Sequence, residues 1–313
     1  MARLSGRPLL GTSRDRSLAV GAVAELDRIT DAVGRDLNVL LSAAPGGGTT
    51  TTLHRFARTA VRELGRHPRF VNAGGVETPN DLLQQLAGDL TPTVSVVGGG
   101  SAYSMFARYA DLPQGVVALV DNLPVRLAAE LFGTYRDELW AVPITWVVTC
   151  SDTNRSGFLR PPADSFFDVV VDLPPLNDVD SASLLRRRAS KDELPAAALR
   201  AAVAAGAGNP RALINAARAI VLDGGDPASI TQASLDRDRV ERSLSGSAMM
   251  LLSELRSLGP SSASDRQLQE RVGWTRARLV QVFAELERAA AVETDHVHDG
   301  RSGRPRKVYR ARY

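Results

Sequence analysis

Ser42-Ala43-Ala44-Pro45-Gly46-Gly47-Gly48-Thr49-Thr50-Thr51-Thr52-Leu53 follows the apolar run Asn38-Val39-Leu40-Leu41 and precedes residues 50–64, which carry a helical period. A glycine-rich turn between a buried strand and a helix lets backbone N–H groups curl around phosphate oxygens at the helix N-terminus. Such a loop ordinarily adds a lysine for the terminal phosphates and a Ser/Thr hydroxyl for magnesium. Gly46, Gly47 and Gly48 and the hydroxyls of Thr49, Thr50 and Thr51 are present here, and the lysine is not. Two registers are open: Thr49 at the lysine position with Thr50 as the metal hydroxyl, or Thr50 with Thr51. Neither restores a cation.

Working outward, residues 14–36 read as one helix leading into the first strand. A second strand is expected at Arg69–Asn72, a helix from Pro79 to Leu90, and a loop over 91–104. Val116–Val120 is a buried strand ending in Asp121-Asn122; a helix through Trp140 and strands at Ile144–Thr149 and Asp168–Val171 follow. Short, wholly apolar strands alternating with helices predict a parallel sheet covered on both faces. Ligands of such sheets bind beyond the strand C-termini, where the Gly/Thr loop, Asp121 and Thr149 all fall. Asp121 is the residue type that supports magnesium, and Thr149 or Ser151 is placed to sense a terminal phosphate. Asn122 stands where a water-activating carboxylate is expected, and an amide is no general base.

Beyond Leu176 the pattern is helical only, at about 178–190, 193–206 and 209–222. Asn209-Pro210 reads as an N-cap with proline at the first helical position. Arg211 then sits in the first turn, where a cation opposes the helix dipole, so its role is expected to lie outside the helix. Gly224-Gly225-Asp226-Pro227 is a break, and a domain boundary is expected within 225–245.

These landmarks, in this order, resemble the AAA+ ATPases over roughly residues 8–225, especially the branch joining origin-recognition initiators and STAND signalling ATPases. Pro8-Leu9-Leu10-Gly11 matches the family's motif near the adenine, and Leu173-Pro174-Pro175-Leu176 its turn into a helical lid. The resemblance implies a P-loop NTPase-like parallel α/β core and nucleotide contacts from Gly46, Gly47, Gly48, Thr49, Thr50, Thr51, Asp121, Asn122, Thr149 and Arg211. It also implies that Arg136 can act on a neighbour's nucleotide. With the lysine and the Walker B glutamate both replaced, the expected module is a pseudo-ATPase with no catalytic residue and with no cofactor or weakly bound ATP/ADP and magnesium.

At the C-terminus, Gly246–Leu258 reads as a helix, Asp265 caps a short helix Arg266–Val272, and a long helix runs from Thr275 to about Ala290. Leu279, Val282, Phe283 and Leu286 form its buried stripe, leaving Arg276, Arg278 and Gln281 exposed. A hairpin of Val292–His298 and Arg304–Arg310 is expected about an Asp299-Gly300 turn. The whole resembles the winged helix-turn-helix family, which implies DNA contacts from Arg276, Arg278, Gln281, Arg301, Arg304, Arg306, Lys307 and Arg310. His296 and His298 are two apart with no third ligand near, so no metal is expected.

Composition bounds the rest. A chain of 313 residues is expected to hold about two or three domains: here 1–175 as α/β core, 176–235 as helical lid and 236–313 as winged helix. No apolar run approaches the ~20 residues of a membrane span, and Met1-Ala2-Arg3-Leu4-Ser5 lacks the apolar core of a leader, so the expected location is the cytoplasm. The single cysteine, Cys150, excludes an internal disulfide. Only Lys191 and Lys307 are lysines, so a loop that had merely exchanged its base is expected to carry arginine. The net charge is +3, and Asp299–Tyr313 alone holds six cations against one acid, the footprint of a nucleic-acid contact. The reading is therefore a regulatory double-stranded-DNA-binding protein whose degenerate core serves as scaffold, oligomerisation surface or switch, with a homo-oligomer or a protein as further partner and no membrane. Two alternatives stand beside it: an active initiator or STAND-type ATPase with an atypical loop, and a signalling adaptor whose winged helix binds protein.

Overall fold

The central runs pair edge to edge because they are too hydrophobic for either face to meet water, and a more exposed strand flanks them on each side. β1 (Val39–Ala43), β2 (His67–Asn72), β3 (Val116–Asp121), β4 (Ile144–Ser151) and β5 (Val169–Asp172) form one parallel sheet in the order β2-β3-β4-β1-β5. The computed structural model describes residues 4–87, 114–297 and 306–312, and these divide into two compact units, Met1–Gly225 and Asp226–Tyr313.

Strand side chains alternate between two cores. Leu40, Ala118, Val120, Trp146 and Val148 pack with Leu83, Leu127, Phe132 and Phe166 on one face. Val39, Leu41, Val117, Leu119 and Val147 pack with Ile29, Val33, Leu53 and Phe56 on the other. Helices α1 (Ser13–Leu18), α2 (Val23–Gly34), α3 (Thr49–Arg62) and α4 (Pro79–Ala87) precede β3. Short helices α5 (Val125–Ala129), α6 (Arg136–Trp140) and α7 (Arg155–Phe158) lie between β3 and β5.

The single helix expected over 14–36 is two. Gly21 (φ 70°) and Ala22 (φ 54°) are left-handed, and a Cβ on Gly21 would meet the Leu176 side chain at 2.5 Å, so the chain turns where it passes that residue. Arg55 of α3 holds the turn by donating to the Gly21 carbonyl at 2.6 Å. After β5, α8 (Asp178–Arg186), α9 (Ala196–Gly206) and α10 (Pro210–Val221) complete the first unit, with Asn177 and Asn209 as side-chain caps of α8 and α10.

The second unit comprises α11 (Pro227–Arg242), α12 (Gly246–Leu258), α13 (Arg266–Val272), α14 (Arg276–Arg288) and the antiparallel pair β6 (Val292–Val297) and β7 (Arg306–Ala311). Ser261, between α12 and α13, bridges to Tyr309 and extends the pair. Its core gathers Leu251, Leu255, Leu268, Leu279, Phe283 and Leu286, with Phe283 stacked on Tyr309 at 3.9 Å between centroids. α11 occupies much of the stretch read as a boundary, and residue 235 falls inside it; Asp226 caps it. Val297 pairs with Arg306, so residues 298–305 separate the strand ends. The expected Asp299-Gly300 turn lies outside the described residues.

The helix expected to reach Leu90 is described as far as Ala87, and the loop expected over 91–104 lies outside the described residues. No helix among the described residues is long and apolar enough to cross a membrane.

Candidate nucleotide and nucleic-acid sites

β1 ends at Ala43 and α3 begins at Thr49, so Ala44–Gly48 is the whole connection. Gly46 (φ 86°) and Gly48 (φ 103°) hold conformations that glycine adopts without strain. A Cβ on Gly47 would lie 2.8 Å from the Ala44 carbonyl oxygen and 2.9 Å from Ala43 Cβ, and the Gly47 N–H donates to that carbonyl at 2.7 Å. The loop's glycines are thus required by its backbone. Gly48 caps α3 without a side-chain acceptor, leaving that end of the helix open to an anion.

Asp121, at the end of β3, is 1% exposed and fully engaged. Thr50 Oγ1 donates to its Oδ2 at 2.6 Å, and Thr149 Oγ1 donates to its Oδ1 at 2.6 Å. Of the two registers, Thr50 is therefore the hydroxyl that meets Asp121, and Thr49 holds the preceding place. Thr51 instead accepts from the Leu9 N–H at 3.3 Å and anchors the N-terminal segment. Asn122 is left-handed at φ 58°. Its N–H donates to Thr149 Oγ1 at 3.3 Å, and its Nδ2 donates to Asn72 Oδ1 at 3.2 Å and to Asp121 Oδ2 at 3.4 Å. Asn72 was not singled out by sequence reasoning. The parallel register sets it opposite Asp121 at the end of β2, a relation invisible across fifty residues of chain.

The start of α10 closes over the loop. Asn209 accepts from the Arg211 and Ala212 N–H groups and donates to the Pro45 carbonyl at 3.0 Å. The Arg211 N–H also reaches the Gly46 carbonyl at 3.4 Å, and a Cβ on Gly46 would lie 2.8 Å from Arg211 Cβ. The Arg211 side chain is exposed. Nearby, Asp15 accepts from Arg7 at 2.6 Å and from the Leu10 N–H at 2.9 Å, and the Arg7 guanidinium holds its carboxyl down at about 2. His54 stacks on Phe70 at 4.2 Å, and burial lowers its pKa. Arg136 donates to the Pro162 carbonyl and Ser165 Oγ and lies over the Trp140 ring, so within this chain it is already engaged.

The loop fits a magnesium-bound phosphate in part. Glycine amides and the Thr50–Asp121 pair are the donor set such a group uses, while Thr49 brings no charge to the lysine's place. The fold itself is shared with a solved structure, the Aeropyrum pernix ORC1 protein in complex with DNA: 21% identity over 93% of this chain and 89% of that one, with a TM-score of 0.53. The core has the P-loop AAA+ fold. Weaker likenesses are to the Aeropyrum pernix ORC2 protein in ADPNP-ADP complexes (14%; 99% and 92% covered; TM-score 0.48) and to the Thermotoga maritima RuvB Holliday junction branch migration motor (18%; 93% and 93%; TM-score 0.46). No protein-family model matches the chain, and no curated protein matches its sequence. At such identities the likeness speaks for the fold, and the chemistry rests on the residues.

In the second unit, Thr275 caps α14, and Arg276, Arg278 and Gln281 are exposed on its N-terminal half. Arg278 is tethered: it donates to Ser247 Oγ at 3.2 Å and Gln281 Oε1 at 3.5 Å, with its guanidinium 5.9 Å from the Trp274 ring. The cations of β7 divide by strand alternation. Lys307 shares Tyr309's face and pairs with Glu287 of α14, whereas Arg306 and Arg310 lie on the opposite, exposed face. Arg301 and Arg304 lie outside the described residues, as does His298. His296 is exposed, and no cluster of three or more metal-type side chains occurs among the described residues.

Proposed function

We propose that this chain is a duplex-DNA-binding protein whose C-terminal unit acts as a winged helix, and whose AAA+-type core is a scaffold or switch with little ATP hydrolysis. The observation that carries the reading is the exposed trio Arg276, Arg278 and Gln281 on one helix, with Arg306 and Arg310 on the outer face of the hairpin. The helix order, the Ser261 bridge and the hairpin support the winged-helix assignment, in which the second helix of the turn meets base edges and the hairpin grips phosphates. That the like-folded Aeropyrum ORC1 protein was solved with DNA points the same way.

On this reading Gln281 and Arg276 face bases or backbone, and Arg278 is pre-positioned by Ser247. Lys307 serves the packing of hairpin on helix, and Arg306 and Arg310 take the phosphates. In the core, the loss of lysine weakens triphosphate binding, and Asn122 hydrogen-bonded to Asn72 leaves no base at the Walker B position. Titrating a fluorescently labelled duplex against the full chain tests the proposal. Binding that strengthens at low salt and weakens in Arg276→Ala and Arg310→Ala variants is expected; no binding, or binding indifferent to both, contradicts it.

A second reading, residual nucleotide binding, draws on the Thr50–Asp121 contact and the open amides of α3. Calorimetry with ATP and magnesium separates the two: micromolar affinity lost on Asp121→Ala would favour it.

A further inference from the structure

We propose that the AAA+-type unit carries a nucleic-acid phosphate contact of its own, on the face of α3 that presents Arg58 and Arg62 beside Arg16 of α1. This goes beyond the hairpin and α14 but rests on the reading that the chain binds duplex DNA. Arg58 and Arg62 are four apart and share one helix face, about 6 Å apart along the axis. The N-terminal segment brings Arg16 to them. Leu9 N–H bonds Thr51 of α3, Gly11 lies against the His54 carbonyl, and Arg16 returns to donate to the Gly11 carbonyl at 3.3 Å.

These three arginines lie together with no carboxylate among them to balance the charge. In the same unit Arg7, Arg35, Arg66, Arg126, Arg136 and Arg155 each have a carboxylate within 4 Å. Among the described residues Arg16, Arg58 and Arg62 have none. The buried acid nearest in sequence, Asp15, is already taken by Arg7. Burial, then Arg16, then Arg62 lower the Arg58 pKa, and no carboxylate offsets them. The neighbouring arginine run Arg186-Arg187-Arg188 is tied more heavily to carbonyls, Arg187 to Ser17 and Ala19 and Arg188 to Leu18 and Leu184, whereas among the described residues Arg16 has the Gly11 carbonyl alone. A row of mutually repelling guanidiniums is stabilised by a polyanion, and their planar forks match phosphate oxygens.

The test is a salt titration of a labelled 20-base-pair duplex with the full chain, comparing wild type, Arg58→Ala/Arg62→Ala and Arg58→Lys/Arg62→Lys. Each lost phosphate contact is expected to flatten the plot of log affinity against log salt by about 0.9, so the alanine pair flattens it by about 1.8. The lysine pair, which keeps the charge, retains the slope. An alanine pair with wild-type affinity and slope overturns the inference while leaving the hairpin reading intact. A wild-type chain that binds no duplex removes both. If the alanine pair keeps DNA binding but loses wild-type binding to a poly-glutamate peptide, the face takes an acidic protein and the inference is likewise overturned.

Discussion

The loop end of the sheet and the outer face of the C-terminal unit treat their polar groups in opposite ways. At the loop, Asp121, Thr50, Thr149, Asn122 and Asn72 are bonded to one another, and Asn209, the cap of α10, is bonded to the loop backbone. On α14 and β7, Arg276 and Arg310 face solvent, and the nearby charges that are spoken for, Lys307 and Glu287, serve packing. A buried polar group that satisfies its neighbours is chiefly structural, because removing it strands partners at a cost of about 1–3 kcal/mol each. An exposed cation contributes little to folding and is available to a ligand. The comparison therefore separates residues that hold the protein together from those that meet a partner.

The sharpest way to break this contrast is Asp121→Ala. It leaves the Thr50 and Thr149 hydroxyls without their acceptor, and a loss of about 2–4 kcal/mol of unfolding free energy is expected in urea denaturation. A near-neutral result would mean the cluster is not structural. Gly47→Ala comes next, at about 1–3 kcal/mol, since its Cβ would press on Ala43 and Ala44. Asn209→Ala, which removes the α10 cap and the tie to Pro45, is expected to cost about 1 kcal/mol.

The Arg7–Asp15 pair adds a pH signature. Asp15 is depressed to about 2 from an unfolded value near 3.9, so its contribution is fully present above pH ~4 and is lost as pH falls through about 2. The stability gap between wild type and Arg7→Ala is expected to close between pH 4 and 2 in parallel denaturation series. Smallest in stability is Arg276→Ala or Arg310→Ala, expected within about 0.5 kcal/mol of wild type by the same denaturation assay. A large loss there would move these arginines to the structural side of the comparison.

How much of this was legible in the chain follows from which interactions are local. β1, β3 and β4 are buried, mostly apolar runs, and caps such as Asn209, Asp265 and Thr275 announce the helices that follow them. α11 escaped notice because it lacks an apolar stripe; Ser234 is its buried residue. The break at Gly21 depends on the passage of Leu176, and Asn72 meets Asn122 only through the parallel register of β2 and β3. The division of Lys307 from Arg306 and Arg310 required the strand pairing, which places Lys307 opposite His296 and leaves 298–305 between the strands. Composition located the cations but not their faces.

The most direct measurement of the central claim is the duplex titration run with and without ATP and magnesium, on wild type and an Arg276→Ala/Arg310→Ala pair. Wild-type binding that does not require nucleotide is expected, with a variant whose salt dependence is shallower by about 0.9 to 1.8. DNA binding that appears only with ATP, or that survives the paired substitution with its slope intact, would contradict it.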